Sequence, residues 1–251
     1  MKRLLLLFFL LSTIPFANAE RCEIQEVSTQ NSRLIVTNNL GQQIVDVFGG
    51  KDLHHTRKYI AYEATNVLSI TTCEGKKIYR RWGARPIEFR RGLIAIRSDN
   101  NLQVINLLGK MIVDDWGAKL IKLNSFAVAY LRGNDLFVIN RRGTHVFDSW
   151  GAKLKALTHF FALYENNNYI GAINFNGIKI FEEFNAQLLD SNNTTIVIKS
   201  GENLKAFNHK GKKLLDVYGG KLISLTSRKL IYSKYGERTI ISLPRQRRPR
   251  F

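Results

Sequence analysis

The chain has 251 residues, 45% of them hydrophobic, and carries 38 Lys and Arg against 20 Asp and Glu for a formal charge of +18. It is long enough to bury a sizeable core, and beyond residue 19 no stretch is long and apolar enough to form a membrane-spanning helix, which excludes an integral membrane protein of that kind. The charge draws the chain to polyanions (nucleic acid, anionic lipid or lipopolysaccharide, acidic wall polymers, an acidic protein) without choosing among them, and plain solubility is the simpler explanation for it.

Residues 1–19 have the layout of a secretory signal peptide. Lys2 and Arg3 precede the apolar run Leu4–Leu11, and Ala17-Asn18-Ala19 offers a small-residue cleavage site. The predicted mature chain starts at Glu20 and is periplasmic or secreted. Cleavage removes two cations and leaves a formal charge of +16. Residues 20–32 form an N-terminal segment that joins the repeats. Two cysteines remain, Cys22 and Cys73. In an oxidising compartment such a pair is a candidate disulfide. It would close roughly 50 residues and contribute about 3–4 kcal/mol.

Residues 33–244 hold six copies of a 34-residue repeat without insertion or deletion. The lead glycine stands at Gly41, Gly75, Gly109, Gly143, Gly177 and Gly211. In the copy starting at Asn101, β runs at 102–106, 111–116, 119–123 and 126–131 are separated by turn residues. Three residues before the glycine stands Asn38, Thr72, Asn106, Asn140, Asn174 or Asn208. Asn bonds its own backbone and Gly supplies positive φ, so Asn-x-x-Gly predicts a tight hairpin. The apolar columns Ile44/Ile78/Ile112/Val146/Ile180/Leu214 and Ile60/Ile94/Val128/Ala162/Ile196/Leu230 are core positions.

A 34-residue period also occurs in helical tetratricopeptide repeats, but the short segments rich in Val, Ile, Phe and Tyr, each interrupted by glycine, argue against helices. The pattern predicts an all-β chain: a six-bladed β-propeller with four short antiparallel strands per blade. A β-solenoid is the alternative. The runs 34–38 and 238–242 share one repeat phase and 23–27 lies in the phase of a fourth strand, so the terminal strands are expected to close the ring and remove an exposed edge. With Trp82-Gly83, Trp116-Gly117 and Trp150-Gly151, the chain resembles the short-repeat β-propellers that carry a Trp-Gly pair in each repeat. Phe48-Gly49, Phe184-Asn185 and Tyr218-Gly219 depart from that pair. The resemblance is architectural and implies no site residue. The fifth copy, with Asn185 and Gln187, is expected to be irregular. Residues 245–251, with four arginines and no acid, form a basic tail.

Three columns bear on function. Seven residues after each glycine stands Phe48, Trp82, Trp116, Trp150, Phe184 or Tyr218. Stacking platforms for sugars or bases are one reading, but a large apolar plug between blades accounts better for the mixture of Phe, Tyr and Trp. Ten residues after it stand Lys51, Arg85, Lys119, Lys153, Gln187 and Lys221, and five after it Asp46, Arg80, Asp114, Asp148, Glu182 and Asp216. The cations either form a positive rim or pair with the acids, and pairing is the favoured expectation. Arg80, Arg81, Arg85, Arg90 and Arg91 form the basic maximum of the repeats and a candidate polyanion patch. His54 and His55, as strand neighbours, point to opposite faces, and no catalytic or metal-binding spacing stands out.

The expectation is an exported, non-catalytic, monomeric scaffold without cofactor that docks an envelope protein or an acidic polymer or glycan. A lectin with repeated aromatic sites is the alternative. A metal-dependent propeller hydrolase ranks below it, and nucleic acid is lowered as a partner by the export signal.

Overall fold

The computed structural model describes residues 21–244. The expected signal peptide at 1–19 and the expected basic tail at 245–251 lie outside the described residues. The rest is β-structure throughout: 26 strands of five to seven residues, all antiparallel to their neighbours.

The strands form seven sheets in chain order. Sheets two to six span 51–82, 85–116, 119–150, 153–184 and 186–218 and have four strands each, while sheets one (24–48) and seven (221–242) have three. The expected repeat phase accounts for every strand, including Ile24–Gln30, which pairs with Arg33–Asn38 in sheet one. The grouping differs from the expectation. Sheets divide at the Trp-Gly pair and its equivalents, so the third- and fourth-strand phases of one copy open the hydrogen-bonded unit that the first two strands of the next copy complete. The result is seven sheets in place of six four-stranded blades.

The expected ring closure is also absent from the pairing. Six apolar clusters join sheets one to two, two to three, and so on to six and seven. A ring of seven sheets needs a seventh cluster, and among the described residues none contains both ends. Nor does any sheet combine Ile24–Gln30 with Glu237–Ser242. Glu237–Ile240 is solvent-exposed along its length.

Burial follows from this series. Interior sheets have neighbours on both faces, so their second strands are apolar at consecutive positions: Leu93–Ile96, Ala127–Tyr130 and Phe161–Tyr164 are buried at all four residues. The last strands are sheet edges and bury at most two residues each, near their starts. In Met111–Trp116 only Ile112 and Val113 are buried.

Hairpin chemistry is as expected. Asn140 Oδ1 accepts the amides of Arg142 and Thr144, both at 3.0 Å, while Gly143 donates to the Asn140 carbonyl at 2.9 Å with φ +84°. Asn140 Nδ2 also donates to the Phe175 carbonyl at 3.0 Å, tying one sheet to the next. Asn124 and Asn192 make the same type of bond, to Thr158 and Thr226.

The corner between sheets is short. Gly117-Ala118 alone separates the strand ending at Trp116 from the one starting at Lys119. Three Cα–Cα steps reach at most about 11 Å, less than the ~14 Å width of a four-stranded sheet. The next sheet must therefore start over the middle of its predecessor. Arg97, in the second strand of sheet three, accordingly donates to the Ala118 carbonyl at 2.8 Å. Such a close approach demands small residues. A Cβ on Gly50 would lie 2.7 Å from Leu34 Cβ and 2.5 Å from Val47 Cγ1, and Ala84, Ala118 and Ala152 are buried at the equivalent corners. Ala118→Leu is expected to overpack this corner and lower stability by about 1–3 kcal/mol in denaturant unfolding.

The expected irregularity of the fifth copy is not observed. Asn185 takes φ +49° where the other corner residues are glycines at +66° to +71°. Asn tolerates that conformation, and the strand Ala186–Ser191 follows directly.

Candidate functional site: an exposed row of corners

Phe48, Trp82, Trp116, Trp150, Phe184 and Tyr218 are each the last residue of a sheet's last strand. All six are exposed, by 55% to 72%. This overturns the expectation of plugs between blades. The inward positions of these strands lie earlier, at Ile112 and Val113. By Trp116 the edge strand has passed its last inter-sheet contact, and the chain turns away at the glycine. Across the strand pair, Trp116 faces Asn101, at the start of the third strand. In the fifth copy Phe184 faces Tyr169, with ring centroids 5.1 Å apart.

Three residues further on, Lys51, Arg85, Lys119, Lys153 and Lys221 open the next sheets, and all are exposed. Their expected pairing with the acid column is not found. The acids are held within their own sheets: Asp46 by Arg33 at 2.7 Å, Glu182 by Lys179 at 2.7 Å and Asp216 by Lys213 at 2.7 Å, with His145 3.8 Å from Asp148. Asp114 accepts from Asn101 Nδ2 and Gln103 Nε2 at 3.1 Å each. Hydrogen bonds from Arg33 and Lys213 hold the Asp46 and Asp216 carboxyls below the usual carboxylate range. Among the described residues the five corner cations make no ion pair. Lys153 contributes weakly to holding the Glu165 carboxyl down, an effect dominated by Lys155. Corner by corner, an exposed aromatic sits between an acid two residues before it and an unbridged cation three residues after it. In the second copy Arg80 replaces the acid, and in the fifth Gln187 replaces the cation.

The arginine patch is less unified than its sequence clustering implies. Arg80, Arg81, Arg85, Arg90 and Arg91 are all exposed. Arg80 and Arg81 are strand neighbours and point to opposite faces. Arg81 lies 3.8 Å from Asp99, and Arg90 pairs with Glu88 and donates to the Leu123 carbonyl at 3.4 Å. Arg80 lines a cavity of about 170 Å³ with Lys77, Val47, Tyr62 and Val67. Sequence reading missed a shallow basic cavity of about 450 Å³ between the hairpins of neighbouring copies, lined by Leu108, Lys110, Arg141 and Arg142. The basic residues flanking Gly109 and Gly143 were its visible signal.

Cys22 and Cys73 lie together at the first inter-sheet seam. Their sulfurs and a Glu74 carboxylate oxygen all fall within 4.8 Å of one another, and the thiols are not bonded. Burial, with Cys22 and Glu74 nearby, pushes the Cys73 thiol up to about 12. The histidines serve packing and local bonds: His54 stacks on Phe89 at 4.3 Å, and His55 Nδ1 lies 2.6 Å from Asp52.

No protein-family model matches the chain, and no curated protein matches it. Among solved structures, Hsv2 of Kluyveromyces marxianus is similar at 12% identity and a TM-score of 0.37, over 90% of this chain and 99% of that one. A Kluyveromyces lactis Hsv2 with loop 6CD replaced by a Gly-Ser linker gives 14% and 0.34, over 84% and 89%. PorZ, a surface component of the type-IX secretion system of Porphyromonas gingivalis, gives 10% and 0.33, over 87% of this chain and 39% of that one. These are β-propeller-like folds; the overlap is too low to carry their ring over to this chain.

Proposed function

We propose that this chain is an exported, non-catalytic, monomeric scaffold that binds an acidic polymer or acidic envelope partner through the row of corners. The observation that carries this is the joint exposure, six times over, of an aromatic side chain, with an unbridged cation beside it in five copies. Large exposed apolar groups mark interaction surfaces, and a regular row of weak sites acts multivalently. The exposure moves the lectin reading forward, because platforms that were expected to be buried are available. The export signal at 1–19 and the acids beside the aromatics both favour an extracytoplasmic acidic glycan or protein over nucleic acid.

The test is retention of the mature chain on immobilised acidic polymers and on envelope extract. Binding is expected at low salt. Release by moderate salt marks the cations as dominant, and retention at high salt marks the aromatic faces. No retention on any of these materials at low salt would sink the proposal.

Export carries a consequence for the cysteines. In an oxidising compartment Cys22 is expected to attack a small-molecule or protein disulfide, RS–SR, releasing one RSH. Cys73 then displaces the second RSH and leaves Cys22–Cys73 oxidised, which staples the N-terminal segment to sheet two. Intact mass of protein recovered from that compartment should be two hydrogens lighter than after reduction. The oxidised form should be more stable by about 3–4 kcal/mol. Two free thiols in the exported protein would overturn this.

A further inference from the structure

The composition of the corners narrows the ligand further. This step rests on the binding function proposed above. A corner with cations alone would suit any polyanion. Here, four of the five corners that have a cation also have a carboxylate on the same strand face as the aromatic: Asp46 with Phe48, Asp114 with Trp116, Asp148 with Trp150 and Asp216 with Tyr218. These carboxylates are exposed, and each retains acceptor capacity beyond its local partner, since an ionised carboxylate offers about four acceptor sites. They repel phosphates and accept hydrogen bonds from hydroxyl groups. The aromatic between them offers a flat apolar face. The cation three residues on attracts a negative group. A ligand that meets all three demands in one repeating unit has an apolar ring face, several hydroxyls and a carboxylate.

We infer that the row binds a linear acidic glycan, one short segment per corner. Sugar rings stack on Phe48, Trp82, Trp116, Trp150, Phe184 and Tyr218, hydroxyls donate to the acid column, and carboxylates face the cation column. The corners recur once per sheet along the series, so a ligand made of repeating units meets the same three groups at one corner after another. Each contact is weak, and linkage along the polymer multiplies them. The fifth corner lacks the cation and has Tyr169 beside Phe184; it takes a ring without its charge.

The experiment is a titration of the mature chain with uronic-acid oligomers of defined length, from dimer to about 20 units, by calorimetry or fluorescence of the three tryptophans. A neutral glucan series and single-stranded DNA run in parallel. Affinity is expected to rise at least ~100-fold from dimer to dodecamer and then level off as the row is filled. The neutral series should bind more weakly at every length. Asp114→Asn with Asp148→Asn should weaken the uronates and strengthen DNA, a reversal that general misfolding cannot produce. Length-independent affinity, neutral glucans binding as tightly, or DNA binding more tightly than uronates in the unsubstituted chain would each overturn the inference. If envelope material or other acidic polymers are retained while every uronate oligomer fails, the glycan assignment falls and the broader binding function stands. If all fail, both fall.

Discussion

Replacing Trp82, Trp116 and Trp150 together by alanine is expected to reduce retention on acidic polymer by at least ~100-fold, through loss of three linked sites, while the unfolding midpoint stays close to that of the parent. The two readouts decide between two physical roles for one column. A buried aromatic truncated to alanine costs about 3–5 kcal/mol each, and three of them would unfold a domain of ordinary stability. An exposed one is worth within about 0.5 kcal/mol. The side chains here are 70%, 72% and 70% exposed, so the stability cost should be small and the binding cost large. Far-UV circular dichroism and denaturant unfolding measure the first, and affinity chromatography the second. A triple variant that binds normally would remove the row of corners from function. One that unfolds would return the column to the core role that its sequence first implied.

The second large effect concerns whether the sheets act as a series or as a ring. Deleting residues 117–150 removes one whole sheet and joins Trp116 to Gly151, which restores the Trp-Gly-Ala-Lys corner in register. In a series held by neighbour contacts, the shortened chain should still fold cooperatively. Its unfolding enthalpy should drop by about 24 kcal/mol near 60 °C, in proportion to the 34 residues lost. Deleting 117–133 instead removes half a sheet, leaves Asp135–Asn140 without its upstream partner and should abolish cooperative unfolding. A ring with a fixed number of blades predicts that both deletions fail, so calorimetry separates the two architectures.

Much of this protein was legible in its sequence. The 34-residue period, the strand phases and the hairpins follow from local chemistry. Asn140 and Gly143 make their turn wherever the chain places them, because the bonds involved span only a few residues. The consecutive apolar runs such as Leu93–Ile96 marked the strands buried on both faces, since a strand between two sheets needs apolar side chains on each side. Asn185 was misread: it signalled irregularity, yet it takes the same left-handed corner conformation as the glycines.

What only the tertiary structure decided lies in how sheets meet. The sequence presented an aromatic at one fixed phase, and a large apolar side chain there reads equally as a plug or as a platform. Its exposure is settled by the two-residue corner, which starts each new sheet over the middle of the last and leaves the end of the edge strand uncovered. The same offset places sheet boundaries at Trp-Gly, produces seven sheets in place of six, and separates the cation column from acids held by partners in their own sheets. Cys22 and Cys73 approach because sheet one packs on sheet two. These outcomes depend on contacts about one full repeat apart, where no local rule for turn, strand or charge pairing reaches.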